Sequence, residues 1–238
     1  GFIPTFVNGE RLCMEGCFLG DLVALTVRMS EAGLGDYWDD ADRVIRNHLV
    51  ESQFTDKAQL ERIVENMPHH PPEQPTGKQQ KASGEVILSQ LRNVELDAGP
   101  VVAPHQLSYD RVLERSVGIF ASYLMPTSAL SWRTMQCCTA NAARGLYYAW
   151  EAITRCVGEE GQVNLLLNRA APWLDVESHL PYEGRVVIRN KTCRRIAVRI
   201  PAWVNRRQLR VLANGADRPL SMVASYAIVD GVKPGDVI

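Results

Sequence analysis

At Gly161 the spacing of apolar residues changes from that of a helix to that of a strand, and this change constrains the fold more than any other feature of the chain. Upstream, Phe18, Leu22, Leu25 and Met29 recur at helical spacing between Cys17 and Ser30, and Gly33-Leu34-Gly35 closes the run. Asp39 and Asp40 are expected to cap a second helix that carries Val44, Ile45 and Leu49. A third helix is expected from Ser108 or Tyr109 to about Ala121. A fourth is expected from Ala140 to about Arg155, with Leu146, Tyr147, Trp150 and Ile153 as its apolar face and Gly158 beyond its end. Downstream, residues 163–167, 185–189, 195–200 and 209–212 read as strands, the last followed by the turn pair Asn214-Gly215. Helices followed by strands predict two domains, residues 1–160 and 161–238, the second incomplete. Four helices are too few to close a helical barrel, so the chain reads as an internal piece of a longer protein. Residues 68–84, rich in Pro, Gln and Lys, read as an exposed loop.

A chain of 238 residues can bury a sizeable core. Its net charge of −1 offers no basic surface for nucleic acid. No apolar run approaches the roughly 20 residues of a membrane span. The six cysteines are irregularly spaced, which fits a reduced, partly metal-bound set better than a disulfide framework. Such a set favours the cytoplasm over the periplasm or export. A homo-oligomer is compatible with everything in the sequence. Cys156 and Cys193 lie in apolar or strand-like contexts and are expected to be buried small hydrophobes. Cys13 lies four residues before Cys17, so on a helix the two would share a face.

Cys137 and Cys138 are adjacent, and a vicinal pair rarely bridges to itself, because disulfide geometry is demanding. Far upstream stands Glu15-Gly16-Cys17. Together these residues offer three soft thiolates and one carboxylate, donor types that zinc takes in tetrahedral sites. The wide separation of the two halves fits no zinc-finger pattern. Residues i and i+2 do not share a helix face, so Glu15 and Cys17 predict an extended segment just before a helix. The pair at 137–138 is expected where a loop meets a helix, where the helix dipole favours a thiolate. Asn141 and Arg144 follow four and seven residues after Cys137, a spacing that returns them to its face.

The run Cys137-Cys138-x-x-Asn141-x-x-Arg144 resembles the cysteine-pair motif of the β-L-arabinofuranosidase family of glycoside hydrolases, and Glu15-x-Cys17 resembles the motif that precedes it there. Further along, Val163-Asn164-Leu165, Leu180-Pro181-Tyr182-Glu183-Gly184, residues 198–203, Asn214-Gly215 and Tyr226 to Gly235-Asp236 resemble, in order, motifs of the β-sandwich that follows the catalytic barrel. The resemblance implies an α-then-β fold: the C-terminal part of an (α/α)6 barrel, then a β-sandwich. It implies a zinc ion held by Glu15, Cys17, Cys137 and Cys138, with Cys137 as nucleophile. Asn141 and Arg144 are then candidates to bind the carbohydrate substrate. Asn141 could instead hold the cysteine loop, and Arg144 could pair with a buried carboxylate.

The implied chemistry is attack by a thiolate on the anomeric carbon, followed by hydrolysis with retention. The family's general acid lies N-terminal to its Glu-x-Cys motif, which places it before Gly1; Glu10 is a weak substitute. The family's sugar-binding histidines also come from upstream, and His48, His69, His70, His105 and His179 match none of them. The long interval 68–104 between the motifs leaves the sugar open. A zinc-stabilised, non-catalytic glycan-binding or scaffold protein of the same fold is the alternative. Trp173 and Trp203 are expected in the sandwich core, and Tyr182 and Glu183 in a turn.

Overall fold

The computed structural model describes residues 14–65, 111–121, 123–124 and 136–238. Glu10, Cys13, the loop 68–84, His69, His70 and His105 lie outside the described residues. The chain forms two compact units, residues 1–53 with 119–238, and residues 54–118. In the smaller unit, helix α3 (Lys57–Glu65) meets the short α4 (Val112–Arg115) through Lys57, whose ammonium bonds Glu114 at 2.9 Å. The third helix is thus shorter at its C-terminal end than its sequence suggests. Gly118 takes φ +94°, and Phe120 and Ala121 continue as buried, non-helical chain, with Phe120 bridged to Gln53.

In the larger unit a two-residue strand, β1 (Met14–Glu15), turns directly into α1 (Gly16–Glu31) and pairs with β2 (Tyr123–Leu124). Helix α1 ends as expected, with Gly33 at φ +71°. Its buried face is not the expected one. Gly16, Leu19, Gly20, Val23 and Val27 face inward, and Leu25 is 52% exposed. The reason lies in its partner, α5 (Gln136–Ala152), which begins four residues earlier than expected and ends before Arg155. Cys138, Ala142, Gly145, Ala149 and Ala152 form one buried stripe along α5, while the larger Tyr147 and Trp150 stay about half exposed. Small residues at heptad-like spacing let two backbones approach closely. A Cβ built on Gly145 would lie 2.8 Å from the Gly20 Cα, and one on Gly16 would lie 2.6 Å from the Ala121 carbonyl oxygen.

Helix α2 (Trp38–Arg43) runs on into a π-helical turn at Val44–Leu49 and a 3-10 turn at Val50–Ser52. Asp39 is not a cap. Its carboxylate receives the Arg199 guanidinium at 2.5 Å and the Ala202 amide at 2.9 Å. Burial alone would raise the Asp39 carboxyl, but these bonds from Arg199 and Ala202 outweigh it and hold the group below its usual range.

The C-terminal part is all β. β3 (Thr154–Val157), β4 (Glu160–Val163), β8 (Arg195–Arg199), β11 (Ser221–Val223) and β12 (Tyr226–Asp230) form a five-stranded sheet in the order β11-β12-β8-β4-β3, with only β4 and β8 parallel. β5 (Arg169–Ala170), β6 (Leu174–Ser178) and β7 (Val186–Asn190) form an antiparallel sheet of three. A Cβ on Gly161 of β4 would press on Leu174 of β6 at 2.8 Å, so these two sheets meet face to face as in a sandwich. β9 (Val211–Ala213) and β10 (Ala216–Arg218) make the expected hairpin, with Asn214 and Gly215 both at positive φ. Tyr182 and Glu183 lie in a turn closed on the His179 carbonyl.

Central strand β8 is covered on both faces. Ile196 and Arg199, on opposite faces by strand alternation, are 0% and 1% exposed. Asn164, 2% exposed, ties this sheet to the end of α5. Its side-chain amide donates to the Ala152 carbonyl, its side-chain oxygen accepts the Tyr226 hydroxyl at 2.9 Å, and its backbone carbonyl accepts from Arg199 Nε. Burial pushes the Tyr226 hydroxyl up to about 12, so it stays a donor. Asn164→Ala strands both side-chain partners in a dry site and should cost about 2–3 kcal/mol in chemical denaturation. An unchanged midpoint would show that the bonds contribute nothing net.

Candidate functional site

The corner between β1 and α1 brings Glu15 and Cys17 together. Glu15 is extended, with φ −79° and ψ 140°, and helix geometry begins at the next residue. The Cys17 thiol donates to Glu15 Oε2 at 3.2 Å. The close crossing of α1 and α5 then sets Cys17 Sγ 3.8 Å from Cys138 Sγ, which is 3.8 Å from Cys137 Sγ. Cys17 and Cys138 are buried, while Cys137 is exposed at the first turn of α5. Thr139 in the same turn donates to the Phe120 carbonyl at 3.3 Å and anchors that end of the helix. The four residues singled out from the sequence are thus neighbours in space, touching in the order Glu15, Cys17, Cys138, Cys137.

Electrostatics in this group favour thiols. Burial first, then the hydrogen bond to Glu15 and the neighbouring Cys138, pushes Cys17 up to about 12. The Cys137 thiol is also raised, chiefly by its hydrogen bond with Cys138. This outweighs the lowering expected from a helix N-terminus. A divalent cation reverses the balance, because metal binding displaces thiol protons. A tetrahedral zinc–thiolate site with bonds of roughly 2.3 Å has sulfur–sulfur edges of about 3.8 Å. Both sulfur–sulfur contacts here have that length. The donor chemistry therefore suits zinc. Among the described residues, however, no group of three or more His, Cys, Asp or Glu side chains is gathered round a common point in the manner of a formed metal site.

Asn141 is half-buried, and its backbone carbonyl faces Gly20 across the helix crossing. Arg144 pairs with Asp21 of α1 at 2.7 Å, and its guanidinium lies 5.6 Å from the centre of the Tyr148 ring. Both members of the ion pair are about half exposed, so the partner of Arg144 is a surface carboxylate rather than a buried one. His48 lies in the π-helical turn and His179 after β6; both are partly buried. Cys193 is buried as expected, and Cys156 is partly exposed on β3.

Trp203 departs from expectation. It is 62% exposed, whereas Trp173 is partly buried and donates its indole N–H to Thr154 at 2.7 Å. The motif around Trp203 reads like core because Ile200 and Pro201 are buried; the chain turns outward at Ala202. Sequence reasoning also missed Asp39 as the partner of Arg199. The strand pattern carried no warning, because alternation groups Arg199 with Arg195 and Ala197, opposite the apolar Ile196, Val198 and Ile200.

No protein-family profile matches the chain, and no curated protein does. Its three-dimensional structure matches solved ones. One, described as a glycoside hydrolase, superposes with a TM-score of 0.53 at 16% identity over 95% of this chain and 32% of its own. Another, a GH127 β-L-arabinofuranosidase from Geobacillus stearothermophilus T6, gives 0.54 at 18% identity over 95% of this chain and 31% of its own. This chain has the fold of a segment of those proteins. It spans about a third of their length. The superposition supports, at the level of the fold, the relation that the ordered motifs suggested.

Proposed function

We propose that the chain is part of a retaining glycoside hydrolase acting on L-arabinofuranosides or similar terminal sugars, with a zinc-associated cysteine nucleophile. The observation that carries this reading is the contact of Cys17 with Cys138 at 3.8 Å, which joins two motifs far apart in sequence beside the exposed Cys137. The helices are read as the C-terminal part of an (α/α)6 barrel. Glu15, Cys17, Cys137 and Cys138 would hold the zinc. When bound, the ion lowers the thiol pKa of its ligands.

Cys137 is the one thiol of the three with open access to a ligand. Its sulfur attacks the anomeric carbon as the bond to the leaving oxygen breaks, and water later releases the sugar. The leaving oxygen takes a proton from a carboxylic acid, a role that none of the described carboxylates is assigned. Buried Cys138 and Cys17 hold the site and do not touch substrate.

The test is zinc content by elemental analysis on the full-length protein, alongside hydrolysis of an aryl L-arabinofuranoside. About one zinc per chain, lost in Cys138→Ala and kept in Cys156→Ala, is the expected result. Zinc without hydrolysis of any furanoside or pyranoside would favour a glycan-binding scaffold. No zinc in the wild type would remove the metal from the reading.

A further inference from the structure

A cavity of about 430 Å³ lies between the α2 region and two loops of the β part, away from the cysteines. That volume falls within the roughly 300–1,000 Å³ of sites for small organic ligands. One wall is polar and comes from Asp42, Arg46 and Asn47; the other carries Leu180, Pro181 and the exposed Trp203. From these features we infer a second carbohydrate-binding site, one that takes a neutral oligosaccharide segment with a sugar ring laid on Trp203.

Three observations carry the assignment. The first is the indole. A tryptophan left 62% exposed at the rim of a cavity offers a flat ring whose face is electron-rich. The C–H bonds on one face of a sugar ring are polarised the opposite way and pack against such a surface. The second is the charge balance of the opposite wall. Asp39 and Asp42 meet Arg43 and Arg46, so the lining carries as many carboxylates as guanidiniums. A balanced lining repels neither sign and attracts neither strongly, while offering both acceptors and donors to hydroxyl groups. Nucleotides and sugar acids would call for an excess of one charge.

The third observation is rigidity. The Ala202 amide donates to Asp39 Oδ2, and the same carboxylate is held by the buried Arg199. Val204 closes a turn on the Pro201 carbonyl at 3.1 Å. Across the cavity Arg46 is fixed to Asp42 at 2.8 Å and to the Leu166 carbonyl at 2.8 Å. Trp203 therefore stands on a pinned loop facing a pinned wall, an arrangement that loses little freedom on binding. The choice of sugar as ligand class rests in part on the glycoside hydrolase reading; the cavity itself does not involve the cysteines.

The test is tryptophan fluorescence and calorimetric titration of the full-length protein with arabino-, xylo- and cello-oligosaccharides, and with a galacturonate oligomer as charged control. Cys137→Ala is run beside the wild type, so that binding in the groove is separated from turnover. A neutral oligosaccharide should bind saturably to both. Trp203→Ala should weaken that binding by about tenfold, and Trp203→Phe by less. Trp150→Ala, with an indole elsewhere on the surface, should leave it unchanged. Circular dichroism of each variant checks folding. The proposal is overturned if no neutral oligosaccharide binds, if binding survives Trp203→Ala in full, or if the galacturonate binds more tightly. Binding without any hydrolase activity would leave the groove in place and sink only the catalytic reading.

Discussion

Replacing Cys137 by alanine is expected to lower glycosidase activity of the full-length protein on the order of 10³-fold or more, with little effect on folding. The two halves of that expectation have separate physical grounds. Cys137 is exposed at the start of α5, and its removal leaves no cavity, so stability should stay within about 0.5 kcal/mol. Activity should collapse, because the proposed bond to the anomeric carbon forms at this sulfur and a methyl group cannot make it. Cys138→Ala gives the contrast. Its thiol is 1% exposed and touches both other thiols, so its loss should cost about 1 kcal/mol as well as the proposed zinc. Turnover by Cys137→Ala close to the wild-type rate would rule out Cys137 as nucleophile. Equal loss of activity and stability in Cys137→Ala and Cys138→Ala would mean that the pair acts only through structure.

Part of the β region was legible because alternation is a local signal, although the strand expected at residues 163–167 lies instead at Glu160–Val163. The strands at 186–190 and 195–199 fall within a residue of their expected limits, and Asn214-Gly215 turns the chain as such pairs do. β6 was missed, since Leu174 to Ser178 carries only two buried apolar residues between polar ones. The helices were legible in existence and not in orientation. Periodicity located α1 and α5 but chose their larger side chains as the inward face. The contact is instead built from Gly16, Gly20, Ala142 and Gly145, residues that hydrophobic spacing overlooks because they bury little area. The meeting of the thiols was legible through chemistry. Thiols and a carboxylate in two distant motifs predict a meeting point, and the contact between Cys17 and Cys138 supplies it. Nothing local announced the Asp39–Arg199 pair or the outward turn at Trp203, which depend on how α2 meets β8.

The helix crossing yields the other large expected effect, and here two principles predict opposite signs for one substitution. Gly20 lies inside α1, where alanine is favoured over glycine by about 1 kcal/mol. On propensity alone Gly20→Ala would stabilise the protein. A Cβ at this position, however, would collide with the backbone carbonyl of Asn141 and stand 3.0 Å from its carbonyl carbon. Backbone atoms inside a 17-residue helix cannot swing aside as the end of a side chain can. The helices must separate, and with them the buried contacts of Val23, Ala142 and Ala149. Overpacking of this kind costs about 3 kcal/mol or more where relief is blocked, so the clash wins by about 2 kcal/mol. Thermal unfolding should show a clear loss of stability in Gly20→Ala. The same movement pulls Cys17 away from Cys138, so the buried Cys138 thiol should become reactive toward an aromatic disulfide reagent under native conditions. A more stable Gly20→Ala with an unreactive Cys138 would mean that propensity decides after all, and that the thiols do not depend on close approach of α1 and α5.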